Sequence, residues 1–232
     1  MIINKKQILV GTQQHVVSKL LTFNDDATSK ITEIISDDNL VVIVSPPSGG
    51  KTLLGMALAN KLGGKDAIYS SAEMTVDTIK ERLIPAISGK TLCELKQDPS
   101  KGIVALSKLA HYKIQEVLNC HTLDEALAEI AQKLSGSAEK QVVFLDAYSR
   151  FKIEEASSYY HVQEVRMEKL KEFATENNLL IITTEYATRS RASLSGLELT
   201  NDNIRSIAID SLLVTERELC GAVIQSQLFT RS

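Results

Sequence analysis

Residues 45–52, which read SPPSGGKT, limit the possible folds of this chain more than any other segment. They stand between LVVIV (40–44), an apolar run typical of a strand buried on both faces, and TLLGMALANKL (52–62), which has helical spacing. A loop in this position directs backbone N–H groups at a helix N-terminus, where they can bind phosphate. The sequence therefore predicts a nucleotide site, with lysine on the β- and γ-phosphates and threonine on Mg²⁺, formed by Ser48, Gly49, Gly50, Lys51 and Thr52.

The loop departs from the usual pattern G-x-x-x-x-G-K-[ST] at its first position. Ser45 stands there instead of glycine, and two prolines follow it. Because this position is the entrance of the loop, we expect a small residue to be tolerated. Gly49 and Gly50 remain where the backbone must approach the phosphates most closely.

Apolar strands and amphipathic helices alternate along the rest of the chain. The predicted strands are AIYSS (67–71), QVVFLD (141–146), LLIITTE (179–185) and one or two in 206–229; the predicted helices are 29–36, 75–88, 107–118, 123–134 and 162–178. Pro85 is expected to end or kink its helix. This order predicts an α/β fold with a doubly wound, mostly parallel sheet and helices on both faces, in a single domain whose core is 29–232 after an extension of 1–28.

Two acidic residues follow predicted strands. Asp146 ends QVVFLD, where a carboxylate can orient Mg²⁺ and its water. Glu73 follows AIYSS and could polarise a water that attacks the γ-phosphate. The alternatives are a helix cap or loop acid for Asp146 and a solvated turn residue for Glu73.

Four segments resemble, in order and spacing, the motifs of the ATPase domain of DnaB-type replicative helicases, which has a RecA-like P-loop NTPase fold. They are SPPSGGKTLLGMALAN, AIYSSAEMTVDTIKERL, QVVFLDAYSR and NLLIITTEYATRS. The loop agrees with the family's P-S-x-G-K-T, which accounts for its second proline. SAEM (71–74) is similar to the family's S-L-E-M, so the resemblance implies that Glu73 activates water, Asp146 holds the metal, and ATP with Mg²⁺ is the ligand.

The chain departs from the family where a glutamine sensor and an arginine finger are expected. The family's S-Q-L-N-R after the fourth strand is matched by EYATR (185–189), so only Arg189 is kept. The family's basic K-x-R on the last strand is matched by QLF (227–229), and Arg231 is the nearest cation that could act on a neighbouring subunit.

Composition restricts the partners. Net charge is −3 and aromatic residues make up 5% of the chain, which argues against a protein that binds nucleic acid over its whole surface. RSRAS (189–193) lies where the family has a DNA-binding loop, which makes Arg189 and Arg191 nucleic-acid candidates; a solvated loop explains the segment equally well. With no apolar segment long enough for a signal peptide or a membrane span, we expect a cytoplasmic protein without membrane contact.

Two functions from different classes remain open at this point. The first is a stand-alone DnaB-like ATPase that hydrolyses ATP and acts with single-stranded DNA or a replication protein. The second is a non-motor nucleotide-binding module that works through a protein partner; a KaiC- or RadA-like recombination accessory shares the same core. Since the helicase N-terminal domain and linker helix have no counterpart here, we expect a monomer or weak oligomer with slow basal hydrolysis, and a hexamer if rings form.

Overall fold

The computed structural model describes residues 12–20, 26–88, 92–134, 136, 138–153, 159–186, 209–217 and 224–231. Within these ranges the strands are β1 (Thr12–Leu20), β2 (Leu40–Ser45), β3 (Ile68–Ser71), β4 (Lys113–Glu116), β5 (Gln141–Asp146), β6 (Leu179–Tyr186), β7 (Ser211–Arg217) and β8 (Ile224–Arg231). The helices are α1 (Asp26–Ile35), α2 (Lys51–Gly63), α3 (Val76–Ser88), α4 (Leu92–Gln97), α5 (Pro99–Leu109), α6 (Leu123–Ala131) and α7 (Tyr159–Glu176). Short 3₁₀ turns occupy Gly64–Asp66 and Tyr148–Arg150.

The described strands form one sheet in the order β1-β8-β7-β2-β6-β5-β3-β4. Strands β2 to β7 are parallel, whereas β8 is antiparallel to both of its neighbours. This confirms the predicted doubly wound, mostly parallel sheet. β1 is an addition to the predicted sheet, since 12–20 fall in the segment that was expected to be an N-terminal extension.

Alternate residues of the central strands fill two hydrophobic cores, one on each face of the sheet. Val41 and Ile43 of β2 pack with apolar side chains of α1, α2 and α3. Val42 and Val44 point to the other face, against side chains of α6 and α7. Burial on both faces explains why β2 is continuously apolar.

One local prediction is wrong, and of the two effects expected of Pro85, ending or kinking its helix, the first does not occur. Residues 107–118 do not form one helix, because α5 ends at Leu109, a turn follows, and β4 pairs with β3 in parallel. β4 has only four residues and lies at the edge of the sheet, so its apolar signal is weak. Pro85 does not end α3, which continues to Ser88 with the proline ring buried.

The topology places β2, β6, β5 and β3 next to one another, with their carboxyl ends at the same end of the sheet. Ligands of open α/β sheets bind at the carboxyl ends of the strands. In the part of the chain that the structure describes, no helix is both long enough and apolar enough to cross a bilayer.

Candidate nucleotide site

The loop between β2 and α2 is tightly folded. Ser48 and Gly50 have φ angles of 63° and 90°, so the chain passes twice through the left-handed region just before the helix. The N–H of Gly49 donates to the carbonyl of Pro46 at 3.0 Å, and the Ser45 hydroxyl donates to the same carbonyl at 2.9 Å. This conformation leaves the first N–H groups of α2 at the mouth of the loop.

The structure also explains the residue at the loop's entrance. A Cβ atom placed on Gly49 would lie 2.7 Å from the Ser45 hydroxyl and 2.9 Å from the carbonyl of Pro46. Ser45 is fully buried, so a larger side chain at either position would force the loop open. A small residue at position 45 is therefore required by packing, and serine meets that requirement while its hydroxyl is hydrogen-bonded.

Thr52 and Asp146 form the part of the site suited to a metal ion. The Thr52 hydroxyl donates to Asp146 Oδ2 at 2.9 Å, and the Thr184 hydroxyl donates to the other carboxylate oxygen. Asp146 is 1% exposed, and this burial raises the pKa of its carboxyl group, while the two hydroxyl donors oppose the shift. One carboxylate beside one hydroxyl fits Mg²⁺, which takes few protein ligands and leaves its other positions to water and phosphate.

Lys51 is the cation of the site. It begins α2 and is 6% exposed. Burial lowers the pKa of its ammonium group, while the charges of Asp146 and Glu73 oppose that shift. Its Nζ lies 3.4 Å from the centroid of the Tyr186 ring, a cation–π contact. A buried ammonium beside the N–H groups that begin a helix gains strongly from a bound phosphate.

Glu73 lies on a turn that Ser71 stabilises. The Ser71 hydroxyl accepts hydrogen bonds from the N–H groups of Glu73 and Met74, both at 3.0 Å. The Glu73 carboxylate accepts one hydrogen bond on each oxygen, from Arg150 Nε at 2.7 Å and from the Tyr186 hydroxyl at 3.1 Å. Sequence reasoning gave Arg150 no role, and it treated Tyr186 only as a departure from the family's glutamine.

A cavity of about 770 Å³ unites these groups. It extends from the phosphate loop past Glu73, Asp146 and Tyr186 to Arg82 on α3. This volume lies in the range of roughly 300–1,000 Å³ that is usual for ligand sites. Among the described residues no group of three His, Cys, Asp or Glu side chains is arranged to hold a metal by itself.

Of the three arginines singled out in the sequence, the structure describes the backbone of Arg231. Thr230 of β8 pairs with Ser211 at the start of β7, so the backbone of Arg231 lies at the edge of the sheet opposite the phosphate loop. A role for Arg231 in catalysis would therefore require a neighbouring subunit, and that role stays a prediction. Arg189 and Arg191 lie outside the described residues.

The site has the parts that define a P-loop NTPase site: a phosphate loop, the lysine and threonine that follow it, and a carboxylate at the end of a neighbouring strand. Among solved structures, the chain is similar to an ATPase domain with which it shares 18% identity over 81% of this chain and 74% of that chain, at a TM-score of 0.64. It is also similar to a DnaB-like replicative helicase that was studied with primase. The identity is again 18% and the TM-score 0.64, and the match covers 81% of this chain and 50% of the helicase chain. The predicted RecA-like fold of DnaB-type ATPase domains is thereby confirmed. No protein-family model matches the chain, and no curated protein matches it in sequence.

Proposed function

We propose that this protein is a DnaB-like RecA-type ATPase that binds ATP with Mg²⁺ and hydrolyses it. The observation that carries the proposal is the convergence of the buried Lys51, the Thr52–Asp146 pair and Glu73 at the mouth of one phosphate loop. Lys51 and Thr52 begin α2, Asp146 ends β5 and Glu73 follows β3, and one cavity brings all of them together. A chance Gly-Gly-Lys-Thr turn would not be accompanied by this set.

The chemistry assigns each residue a separate task. The amides of Gly50, Lys51 and Thr52 and the ammonium of Lys51 bind phosphate oxygens and offset their negative charge, while the N–H of Gly49 is hydrogen-bonded within the loop. Thr52 and Asp146 hold the Mg²⁺, which draws charge from the phosphate oxygens when it is bound. Glu73 accepts a proton from the attacking water, as a carboxylate within hydrogen-bond reach of that water can do.

The fold supports a role with DNA in replication or recombination, since its structural neighbours include a DnaB-like replicative helicase. The partners that we propose are single-stranded DNA or a replication protein, in the cytoplasm and away from membranes. In such assemblies the nucleotide lies at a subunit boundary, so a homo-oligomer, hexameric if it closes into a ring, is the expected active form.

A nucleotide-binding module without motor activity is the second candidate, and one observation favours it. Tyr186 stands where the resemblance predicts a glutamine sensor, so that glutamine is missing from the site. ATP turnover measured with and without single-stranded DNA separates the two candidates. Strong stimulation supports the motor, whereas nucleotide binding without turnover supports the module.

The direct test of the proposal is Lys51→Ala, with Lys61→Ala as its matched control. Lys61 lies on the last turn of the same helix, where its ammonium contacts the Ser29 hydroxyl at 2.6 Å, far from the loop. At ATP–Mg²⁺ about 100-fold above its dissociation constant, the parent and the control should gain ~2.7 kcal/mol of stability, or roughly 5–11 °C in Tm. Lys51→Ala should lose this shift and its ATP turnover. Turnover at the parent rate in Lys51→Ala would refute the proposal.

A further inference from the structure

The Glu73 carboxylate is held by two donors, one from the 3₁₀ turn after β5 and one from the end of β6. The terminal torsion of a glutamate side chain is broad, so a single hydrogen bond leaves the carboxylate free to turn. Here Arg150 Nε donates to Oε1 and the Tyr186 hydroxyl donates to Oε2. With one donor on each oxygen, both the position and the rotation of the carboxylate are defined.

These donors come from elements that the sheet places side by side. Arg150 ends the 3₁₀ turn after β5, and Tyr186 ends β6. Glu73 follows β3, on the other side of β5. The Ala72 N–H donates to the carbonyl of Asp146 at 2.7 Å, which ties the turn that carries Glu73 to the end of β5.

The same contacts leave Glu73 able to act on water. Each carboxylate oxygen can accept about two hydrogen bonds, so one acceptor site per oxygen remains open. The Glu73 side chain is 17% exposed, whereas that of Arg150 is 62% exposed. An ion pair with so exposed a partner adds little to folding stability, ~0–1 kcal/mol. Stability alone therefore does not account for the arrangement.

We propose that Arg150 and Tyr186 are positioning residues that orient Glu73 toward the attacking water, and that Tyr186 also links Glu73 to the phosphate-binding Lys51. The second part follows from the ring of Tyr186, whose centroid lies 3.4 Å from Lys51 Nζ while its hydroxyl reaches Glu73. Tyr186 therefore contacts both the phosphate-binding lysine, Lys51, and the proposed general base, Glu73. This inference rests on the proposed hydrolytic function and adds two residues to it.

The variants Tyr186→Phe and Arg150→Ala test the proposal. Phenylalanine keeps the ring beside Lys51 and removes only the hydroxyl. Since misplacement of a catalytic group by about 1 Å can cost 10²-fold, each variant should lower kcat by about 10-fold or more. The affinity for ATP should not change, because Glu73 acts on water rather than on the nucleotide. Arg150→Lys, which keeps the charge without the guanidinium geometry, should retain more activity than Arg150→Ala.

Two control variants remove equivalent contacts elsewhere. Tyr112→Phe deletes a hydroxyl that donates to Asn60 at 2.8 Å, and Lys169→Ala deletes an ion pair with Asp124 at 2.7 Å. Both should retain the parent kcat. A loss of kcat in these controls equal to that in the test variants would overturn the proposal, since the effect would then come from general destabilisation.

Combination with Glu73→Gln shows whether the two residues act through Glu73. If they do, Tyr186→Phe should lower kcat in the parent and have no further effect in Glu73→Gln. Fully additive effects of Tyr186→Phe and Glu73→Gln on kcat would overturn the positioning role. So would a kcat that is unchanged or raised in Tyr186→Phe and Arg150→Ala. In either case a low kcat in Glu73→Gln would leave the proposed function intact. A parent without ATP turnover, or a Glu73→Gln protein as active as the parent, would overturn both.

Discussion

Gly55 lies near the middle of α2, where the helix packs against β5. A Cβ atom at this position would lie 2.3 Å from Cε2 of the fully buried Phe144. In Gly55→Ala, therefore, either the helix or the aromatic ring has to move. Overpacking of this kind costs about 1–3 kcal/mol, and so close an approach corresponds to the upper end. The helix propensity of alanine returns about 1 kcal/mol, which leaves a net loss of about 2 kcal/mol.

Gly102 in α5 provides the matched control, since a Cβ atom there would meet nothing within 4 Å. Gly102→Ala should therefore gain about 1 kcal/mol from helix propensity alone. The two variants should differ by about 3 kcal/mol, or roughly 6–12 °C in Tm for a chain of this size. Thermal unfolding followed by circular dichroism measures the difference. Equal melting temperatures, or a Gly102→Ala protein less stable than Gly55→Ala, would refute the packing of α2 on the sheet.

Three further outcomes follow from the structure. Burial raises the pKa of Asp38 from its ordinary 3.8 to about 6, so the folded protein loses stability as pH rises through this interval. Asp38→Asn should therefore melt at a higher temperature than the parent above pH 6, and the difference in melting temperature should vanish near pH 3.8. Asp146→Asn should raise the Mg²⁺ concentration for half-maximal ATP turnover by about 10-fold or more, and an unchanged requirement would remove Asp146 from the metal site. If rings form, Arg231→Ala should lower turnover by about 10³-fold or more without weakening nucleotide binding, and retention of activity would show that Arg231 is not the finger.

The parts of the fold that could be predicted are those with local signals. The runs 40–44, 141–146 and 179–185 are strands buried on both faces, so each contains at least four consecutive apolar side chains and can be recognised as a strand from its own sequence. The phosphate loop is also local, because its glycines, lysine and threonine are adjacent in sequence. β4 escaped prediction because a four-residue edge strand is half exposed and follows a helix after a short turn.

The candidate site likewise contains residues that a local motif predicts and residues that it does not. Lys51, Thr52, Asp146 and Glu73 could each be named from a motif, although whether they meet depended on the order of the strands. The two donors to Glu73 could not be named, because Arg150 and Tyr186 lie 77 and 113 residues away from it along the chain. Tyr186 differs from the residue expected at its position, which was the only signal that it had a role.

The central claim is that Glu73 acts on water at a site that binds ATP independently of it. Parallel measurement of ATP binding by calorimetry and of ATP turnover, in the parent and in Glu73→Gln, tests this claim most directly. Because the amide keeps the shape of the side chain but cannot accept a proton, affinity should be unchanged while turnover falls by about 10²-fold or more. Equal turnover in the two proteins, or a joint loss of affinity and turnover in Glu73→Gln, would contradict the account.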